Sequence, residues 1–264
     1  MVPCTNCGRS HVYSFCPECG QKRIEAGIRL REVIDDAIQS VLNFDGPFFR
    51  TFQTFFRGPA RLSREFLAGR RRFYSSPVRF FLFGVAYYYL VRWVLQWDPV
   101  DAAVMDATGG ELPDTPAMEV NHWISRNVNL LLPILLLLLT SLDRLLFPRT
   151  SLRWVERLVH YLFAVGAYLF ITSTLLLLFV KFWPQVQYTT FLVIFSILIW
   201  ACINLHRRST WNVVKAVVMV PFTFVIYILV SMLIVAVGLG YSPGEIFVPS
   251  GRSAPAIQAP NVVQ

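Results

Sequence analysis

Four of the five cysteines form two pairs with the same spacing. One pair lies in CTNC and the other in CPEC, with eight residues between them, and a glycine follows each pair: Cys4, Cys7 and Gly8, then Cys16, Cys19 and Gly20. A Cys-x-x-Cys turn places two thiolates on one side of a tight loop, and a following glycine can adopt positive φ and leave backbone N–H groups facing sulfur. Two such turns predict a tetrahedral site with four sulfur ligands.

The expected occupant of this site is one structural Zn²⁺ ion, with iron as the alternative metal. Disulfides are disfavoured in a reducing cytoplasm, and thioredoxin-type redox chemistry is disfavoured because the flanks are short and polar. Residues 1–24 are therefore predicted to form a zinc ribbon. Its only apolar core is expected from Val12, Tyr13 and Phe15, so the metal must hold it folded. His11 is predicted on the surface, because four thiolates already complete the site.

The remainder of the chain is too apolar for an ordinary soluble domain. Of 264 residues, 55% are hydrophobic and 15% charged, and the apolar residues accumulate after about position 78. Runs of about 20 apolar residues are long enough to cross a bilayer as helices. Five spans are predicted, at Val78–Trp97, Ile124–Leu142, Leu158–Val180, Tyr188–Leu205 and Val217–Leu239. The fold class is thus an all-α polytopic membrane protein with five transmembrane helices, residues 78–240, and a flexible extracytoplasmic tail, residues 241–264.

Residues 25–77 are predicted to form cytoplasmic amphipathic and interfacial helices. Apolar residues recur at helical spacing over Ile28–Leu42, and the turn NFDGPFF then breaks this pattern. A second apolar face follows, made of interfacial aromatic residues: Phe48, Phe49, Phe52, Phe55 and Phe56. We expect this second helix to lie in the membrane plane or to pack against the bundle.

A cluster of arginines surrounds the approach to the first span. Its members are Arg57, Arg61, Arg64, Arg70, Arg71, Arg72 and Arg79. Arginine pairs well with phosphate, so these residues are candidate ligands for the head groups of anionic lipids, although ordinary juxtamembrane anchoring explains them equally well.

Charge in the loops predicts the orientation. The loop Asp98–His122 carries six acids and no Lys or Arg, whereas Asp143–Arg157 and His206–Lys215 are basic. Together with the first 79 residues, these basic loops place 20 of the 24 Lys and Arg on one side. The positive-inside rule then puts the N-terminus in the cytoplasm and the C-terminus outside, in a bacterial inner membrane. The start of the chain also lacks a basic stretch followed by an apolar one, as a signal peptide would have.

The predicted spans carry no Asp, Glu, Lys or Arg near their centres, which argues against an ion-coupled transporter. His160 is expected near the cytoplasmic end of the third span, where it could reach lipid head groups. Cys202 is expected to be a small apolar packing residue.

The order of motifs carries a resemblance. CPECGQK is followed by an amphipathic helix, by FDGPFFRTFQTFF, and by EFLAGRRRFYSSPVRFFLF. Over residues 4–95 this resembles an uncharacterised bacterial family of zinc-ribbon membrane proteins, a domain of unknown function. The family pattern has Arg-Pro-Gly and then Tyr-Leu-x-Gly-x-Arg, where this chain has Gly58-Pro59-Ala60 and Phe66-Leu67-Ala68-Gly69-Arg70-Arg71. The resemblance implies an inner-membrane protein with a cytoplasmic ribbon, and it implies no activity and no catalytic residue.

Two functions from different classes fit these observations. In the first, the ribbon is a membrane-anchored module for protein interaction or regulation, which binds a cytosolic protein while the spans anchor the chain or hold copies together as a homo-oligomer. In the second, the helices bind or transport a lipid or another amphiphile, whose head group the arginines and phenylalanines gather. An enzyme acting on phospholipids is a weaker alternative, because no paired acid and base and no activated nucleophile are apparent. Nucleic acid is a disfavoured partner.

Overall fold

The computed structural model describes residues 2–21, 46–96, 115–182, 186–206 and 209–242, and these are mostly helical. Two short antiparallel strands, β1 (Val2–Pro3) and β2 (Ser10–His11), pair near the N-terminus. The helices are α1 (Gly46–Arg57), α2 (Pro59–Leu67), α3 (Pro77–Leu95), α4 (Pro116–Leu146), α5 (Trp154–Phe179), α6 (Val186–Leu205) and α7 (Thr210–Leu239). The amphipathic helix predicted over Ile28–Leu42, much of the acidic loop and nearly all of the predicted tail lie outside the described residues.

The chain divides into two compact units. One consists of Met1–Gln96 and Leu135–Phe224, and it carries the metal module, α1 to α3, α5, α6 and parts of α4 and α7. The other consists of Trp97–Ile134 and Val225–Gln264. Within this second unit the hydroxyl of Tyr241 donates a hydrogen bond to the carboxylate of Glu119. All the candidate sites described below lie in the first unit.

Three helices, α3, α5 and α7, are long and apolar enough to cross a membrane, and they coincide with the first, third and fifth predicted spans. Helix α4 covers the second predicted span, but Asn127 breaks it with non-helical backbone angles, φ −116° and ψ 19°. Counted as one span, it would be the fourth. Helix α6 covers the remaining predicted span, and its described apolar part, Thr189–Leu205, is shorter than the others. Among the described residues, three or four spans are therefore supported rather than five.

Local sequence explains where the central helices begin and end. Helix α3 begins with Pro77, whose missing N–H would have no helical partner at that position, and ends at Gln96 in the left-handed conformation. Helix α5 begins with a capping interaction in which the backbone N–H of Arg153 donates to Glu156 Oε2 over 2.8 Å. These ends define the part of the chain in which α3 and α5 pack together.

Helices α3 and α5 approach most closely at two glycines. A Cβ added to Gly84 would lie 3.0 Å from the carbonyl oxygen of Gly166, and one added to Gly166 would lie 2.7 Å from the ring of Phe80. Small residues at such crossings allow two membrane helices to come into backbone contact. This crossing holds α3 against the middle of the bundle.

Helices α1 and α2 pack on this pair through aromatic rings. Phe48 contacts Phe170 of α5 with ring centroids 5.2 Å apart, and Phe55 contacts Trp200 of α6 at 5.6 Å. Phe48 and Phe55 are buried, Phe52 is half-buried, and Phe49 and Phe56 remain exposed. Helix α1 therefore packs against the bundle through one face, which was one of the two arrangements predicted for it.

Candidate metal centre

The four cysteines of the paired motifs lie together. The Sγ atoms of Cys4 and Cys19 are 3.6 Å apart, as are those of Cys7 and Cys16, and all four Sγ atoms lie within 4.8 Å of one another. A disulfide requires a sulfur–sulfur distance of about 2.05 Å, so the cysteines are free thiols. Four thiolates at about 2.3 Å around one zinc ion are about 3.8 Å apart, which these distances approach. The cluster could therefore bind a metal ion.

The two knuckles have the same backbone geometry. Gly8 N–H donates to Cys4 O over 2.9 Å, and Gly20 N–H donates to Cys16 O over 2.7 Å. Both glycines have positive φ, +79° for Gly8 and +64° for Gly20, as the sequence predicted. The tight loops therefore follow from the Cys-x-x-Cys-Gly spacing itself.

Hydrogen-bond donors of the backbone and of side chains surround the sulfur atoms and favour the thiolate form, which is the form that binds a cation. Burial opposes ionisation of Cys19, but hydrogen bonds from Asn6, from the backbone of Gln21 and from neighbouring thiols lower its pKa to about 6. The backbone N–H of Arg9 likewise lowers the pKa of Cys7, yet burial and bonds to the other cysteines raise it to about 12. Without a metal, only part of the cluster is ionised. A divalent cation would favour loss of the remaining thiol protons, because the thiolate is the form that binds a metal.

The apolar residues of this metal module, defined here as residues 2–21, do not form the core predicted for them. Val12, Tyr13 and Phe15 have 61%, 67% and 56% of their surface exposed. His11 was predicted on the surface, yet it is buried and its Nδ1 lies 3.0 Å from the carbonyl oxygen of Tyr13. Both predictions were wrong for one reason: the segment between the knuckles bends so that its histidine faces inward and its large apolar side chains face outward.

The metal module contacts the loop between α2 and α3 through hydrogen bonds. Gln21 Oε1 accepts a hydrogen bond from the backbone N–H of Arg72 over 3.1 Å, and the Thr5 hydroxyl donates to the carbonyl oxygen of Gly69 over 3.3 Å. Gly20 lies beneath the guanidinium of Arg72, where a Cβ would come within 2.8 Å. The module therefore contacts the arginine-rich segment directly.

The predicted head-group arginines occupy different environments. Arg57, Arg61, Arg64, Arg70 and Arg72 are exposed, Arg71 is half-buried, and Arg79 is buried. Glu65 forms ion pairs with Arg61 and Arg70. Burial opposes ionisation of Glu65, but the hydroxyl of Tyr74, 2.5 Å away, and Arg61 lower its pKa. Part of the positive charge is therefore neutralised within the cluster, and Arg79 differs from the others.

The segment from α1 to α3 also corresponds to a known family. Residues 45–89 match the family described as "Protein of unknown function (DUF3667)". These residues, called the DUF3667 segment below, resemble an uncharacterised family. The resemblance predicted from the order of motifs is confirmed for the DUF3667 segment, which does not include the four cysteines. No curated protein and no solved structure matches the chain.

Outside the DUF3667 segment, a second cluster of polar residues is buried where α4, α5 and α6 meet. Its centre is Asp143, which forms an ion pair with Arg157. The other carboxylate oxygen, Oδ1, lies 2.7 Å from His206 Nε2 and accepts a hydrogen bond from the hydroxyl of Tyr161 over 3.0 Å. Cys202 Sγ lies 3.7 Å from the same oxygen. These five residues are buried, although the sequence placed Asp143 and Arg157 in a charged loop.

Asp143, Cys202 and His206 could in principle hold a metal, but their partners argue against it. Both carboxylate oxygens of Asp143 already face donors, and one faces the permanent positive charge of Arg157. His206 is bonded at both ring nitrogens, since Nδ1 lies 2.8 Å from Thr150 Oγ1. The arrangement is therefore a saturated structural network.

Sequence reasoning missed this network and treated Cys202 as an apolar packing residue. One signal was present, because Asp143 lies close to the end of the apolar run in LLLLLTSLDRLL. A carboxylate at the end of such a run either reaches the head groups or finds a buried partner. The partner, 14 residues away, is brought close only by the turn between α4 and α5.

His160 joins the DUF3667 segment to the bundle. Its Nδ1 lies 2.8 Å from the hydroxyl of Ser63 in α2, and its Nε2 lies 3.0 Å from the carbonyl oxygen of Ala201 in α6. A neutral ring can accept from the serine and donate to the carbonyl. His160 is fully buried, so the prediction that it reaches lipid head groups was wrong.

Proposed function

We propose that this chain is an inner-membrane protein whose N-terminal metal module is a zinc ribbon that binds a cytosolic protein. The spans, five if α4 and α6 both cross, anchor the module and keep the N-terminus in the cytoplasm. One zinc ion held by Cys4, Cys7, Cys16 and Cys19 stabilises the module, and the metal has no catalytic part. The cysteine geometry, which is closed by four protein ligands, supports this role.

The observation that carries the proposal is the exposed apolar tip, defined as Val12, Tyr13 and Phe15. Exposed apolar side chains are unfavourable in water. Binding of a partner that covers them is therefore favourable, and exposed apolar patches often mark interaction sites. A module of about 20 residues has little other surface with which to bind a partner.

Charge favours a protein over a lipid surface as the occupant of the tip. Within the metal module the charged side chains are Arg9 and Glu18, and they form an ion pair. Segments that bind anionic membranes usually combine apolar with basic residues. A neutral apolar tip lacks that attraction and suits an apolar groove on a protein.

The test is site-specific photo-crosslinking in cells. A photoreactive residue at position 13 is expected to form an adduct with a cytosolic protein, whereas one at the exposed position 182, between α5 and α6, is not. The identified protein, purified, should then bind the full chain in detergent and lose that binding with Val12→Ser and Phe15→Ser. Zinc content should be unchanged in these variants. Adducts with lipid only, or no dependence of the adduct on the tip, would reject the proposal.

A second function, binding of anionic lipid, is favoured by the exposed arginines around the loop that the module contacts. It predicts that changing Arg70, Arg71 and Arg72 together to glutamine releases co-purifying anionic lipid. The matched control changes Arg92, at the other end of α3, to glutamine. Unchanged lipid content in the triple variant would reject this second function.

A further inference from the structure

Three polar side chains at the start of α3 are buried and have no hydrogen-bond partner among the residues that the structure describes. They are the hydroxyls of Ser75 and Ser76 and the Nε and Nη2 atoms of Arg79. The exposed fractions of these residues are 2%, 9% and 9%. Buried polar groups are nearly always paired, so three such groups within five residues require an explanation.

Arg79 is the most demanding of the three, because a guanidinium stays charged even when it is buried. Its guanidinium lies over the ring of Phe83, with Cζ 5.3 Å from the ring centroid. No carboxylate of the described residues lies within ion-pairing distance of it. Taking such a charge out of water without a counter-charge is unfavourable.

Arg157, which is also buried, shows how the hydrogen-bond donors of a buried guanidinium are paired in this protein. Arg157 pairs with the carboxylate of Asp143 and donates to backbone carbonyl oxygens, including those of Phe147 and Thr150. Arg79 is also buried, and within the described part of the chain it has none of these acceptors. The missing component at Arg79 is therefore an anion with several acceptor atoms.

The backbone adds to the donors at this point. Ser76 is the N-cap of a 19-residue helix, and its side chain does not cap the helix. Helix N-termini leave N–H groups unpaired and carry a partial positive charge, which favours anions. Pro77 has no N–H, so the donors of the first turn are those of Val78 and Arg79.

The segment is also packed against α1 and α5. The backbone N–H of Ser75 donates to Thr51 Oγ1 over 2.8 Å, and Ser76 O accepts from the N–H of Phe80 over 2.9 Å. Phe80 is fully buried against the glycine of α5. A binding site built here would be pre-formed, which lowers the entropic cost of binding.

From these observations we infer that the start of α3 is a phosphate-binding site, in which Arg79 supplies the counter-charge and the Ser75 and Ser76 hydroxyls supply donors. A tetrahedral phosphate has more acceptor oxygens than a carboxylate, and it matches two hydroxyls, a guanidinium and free helix N–H groups. The group could belong to a phospholipid head group or to a soluble phosphate ester. The inference is independent of the partner proposed for the apolar tip, and it gives a specific site to the lipid-binding function.

The experiment uses the full chain, purified in detergent and in neutral phosphatidylcholine nanodiscs. Thermal unfolding is followed with added inorganic phosphate, and retention of phosphatidic acid is followed by native mass spectrometry. For the wild-type chain we expect stabilisation by at least one of these probes. Arg79→Gln should weaken that probe's binding by about tenfold or more, because it removes a charge-assisted pair of hydrogen bonds. Arg144→Gln, at an exposed arginine outside the cluster near the first span, is the matched control and should bind as the wild type does.

The outcomes separate the sources of the phosphate group and also test the site itself. Retention of phosphatidic acid without a response to inorganic phosphate identifies a lipid head group, and the reverse identifies a soluble ester. Without any probe, Arg79→Gln should unfold at the same or a higher temperature than the wild type, since it removes an unpaired charge. If Arg79→Gln fails to fold, Ser75→Ala with Ser76→Ala provides the same comparison. Equal losses in the Arg144 and Arg79 variants, or no response to either probe, would overturn the inference.

Discussion

The backbone N–H of Arg72 donates a hydrogen bond to the side-chain oxygen of Gln21, with an N–O distance of 3.1 Å. Gln21 lies two residues beyond the fourth cysteine of the metal module, and Arg72 lies in the loop that leads into α3. The contact joins the module to the membrane-proximal part of the chain. Metal binding and the order of this loop should therefore be linked.

Weakening this contact should release the module without unfolding it. Gln21→Ala combined with Thr5→Ala removes two hydrogen bonds worth about 0.5–1.5 kcal/mol each. We expect trypsin to cut the loop at Arg70 and Arg72 about tenfold faster in this variant, with the zinc content unchanged. Tyr13→Ser changes an exposed side chain of the same module and is the control. Equal cleavage rates in the wild type and the double variant would show that the contact does not hold the module.

The cysteine cluster should bind one zinc ion per chain in protein purified under reducing, metal-replete conditions. Cys16→Ser removes one of four ligands and is expected to reduce bound zinc to a small fraction, because a structural site depends on its complete ligand set. The measurement is elemental mass spectrometry on the full chain. Cys202→Ala, at the cysteine outside the cluster, should retain one zinc. Disulfides in the wild-type protein, or full zinc in Cys16→Ser, would contradict the assignment.

The ion pair between Asp143 and Arg157 should matter more when half of it is removed than when both partners are replaced. Asp143→Asn leaves the buried guanidinium without its counter-charge, at a cost of about 3–5 kcal/mol. Asp143→Leu with Arg157→Met removes both charges, so it should be less destabilising. Unfolding in mild detergent is measured for the wild type, Asp143→Leu, Arg157→Met and the double variant, which together form the double-mutant cycle. If the losses simply add, the two side chains are not coupled.

The crossing of α3 and α5 should tolerate no side chain at Gly84. Gly84→Ala would place a methyl group 3.0 Å from the carbonyl oxygen of Gly166 and 3.1 Å from Leu169 Cβ, so the helices must separate. We expect a loss of about 1–3 kcal/mol in the free energy of unfolding. Gly238→Ala in α7 meets nothing within 4 Å and should cause no loss. The comparison fails if both variants unfold at the same temperature.

The parts of this protein that the sequence predicted correctly depend on neighbours along the chain. The spacing of the cysteines places two pairs of thiols in tight turns, and Gly8 and Gly20 take the positive φ that these turns require. Apolar runs long enough to cross a bilayer likewise predicted the positions of α3, α5 and α7. Both patterns act within about 20 residues, so no knowledge of packing is needed to read them.

The number of membrane spans is a feature that the apolar runs alone did not determine. The run of apolar residues predicted a membrane span over Ile124–Leu142, and Asn127 interrupts α4 within that run. Hydropathy averages over a window and is insensitive to one residue with non-helical backbone angles. The sequence also failed to predict that His11 is buried while Val12, Tyr13 and Phe15 are exposed. Composition does not say which side chains of a short loop face inward.

Only the tertiary structure determined the contacts between residues far apart in sequence. Asp143 meets His206 across 63 residues, and His160 meets Ser63 across 97. Each pair depends on the angles and depths at which helices pack, which arise from the sum of many weak contacts. Arg79 is the clearest case: in sequence it is one of seven similar arginines, and only the folded chain buries it with no counter-charge among the described residues.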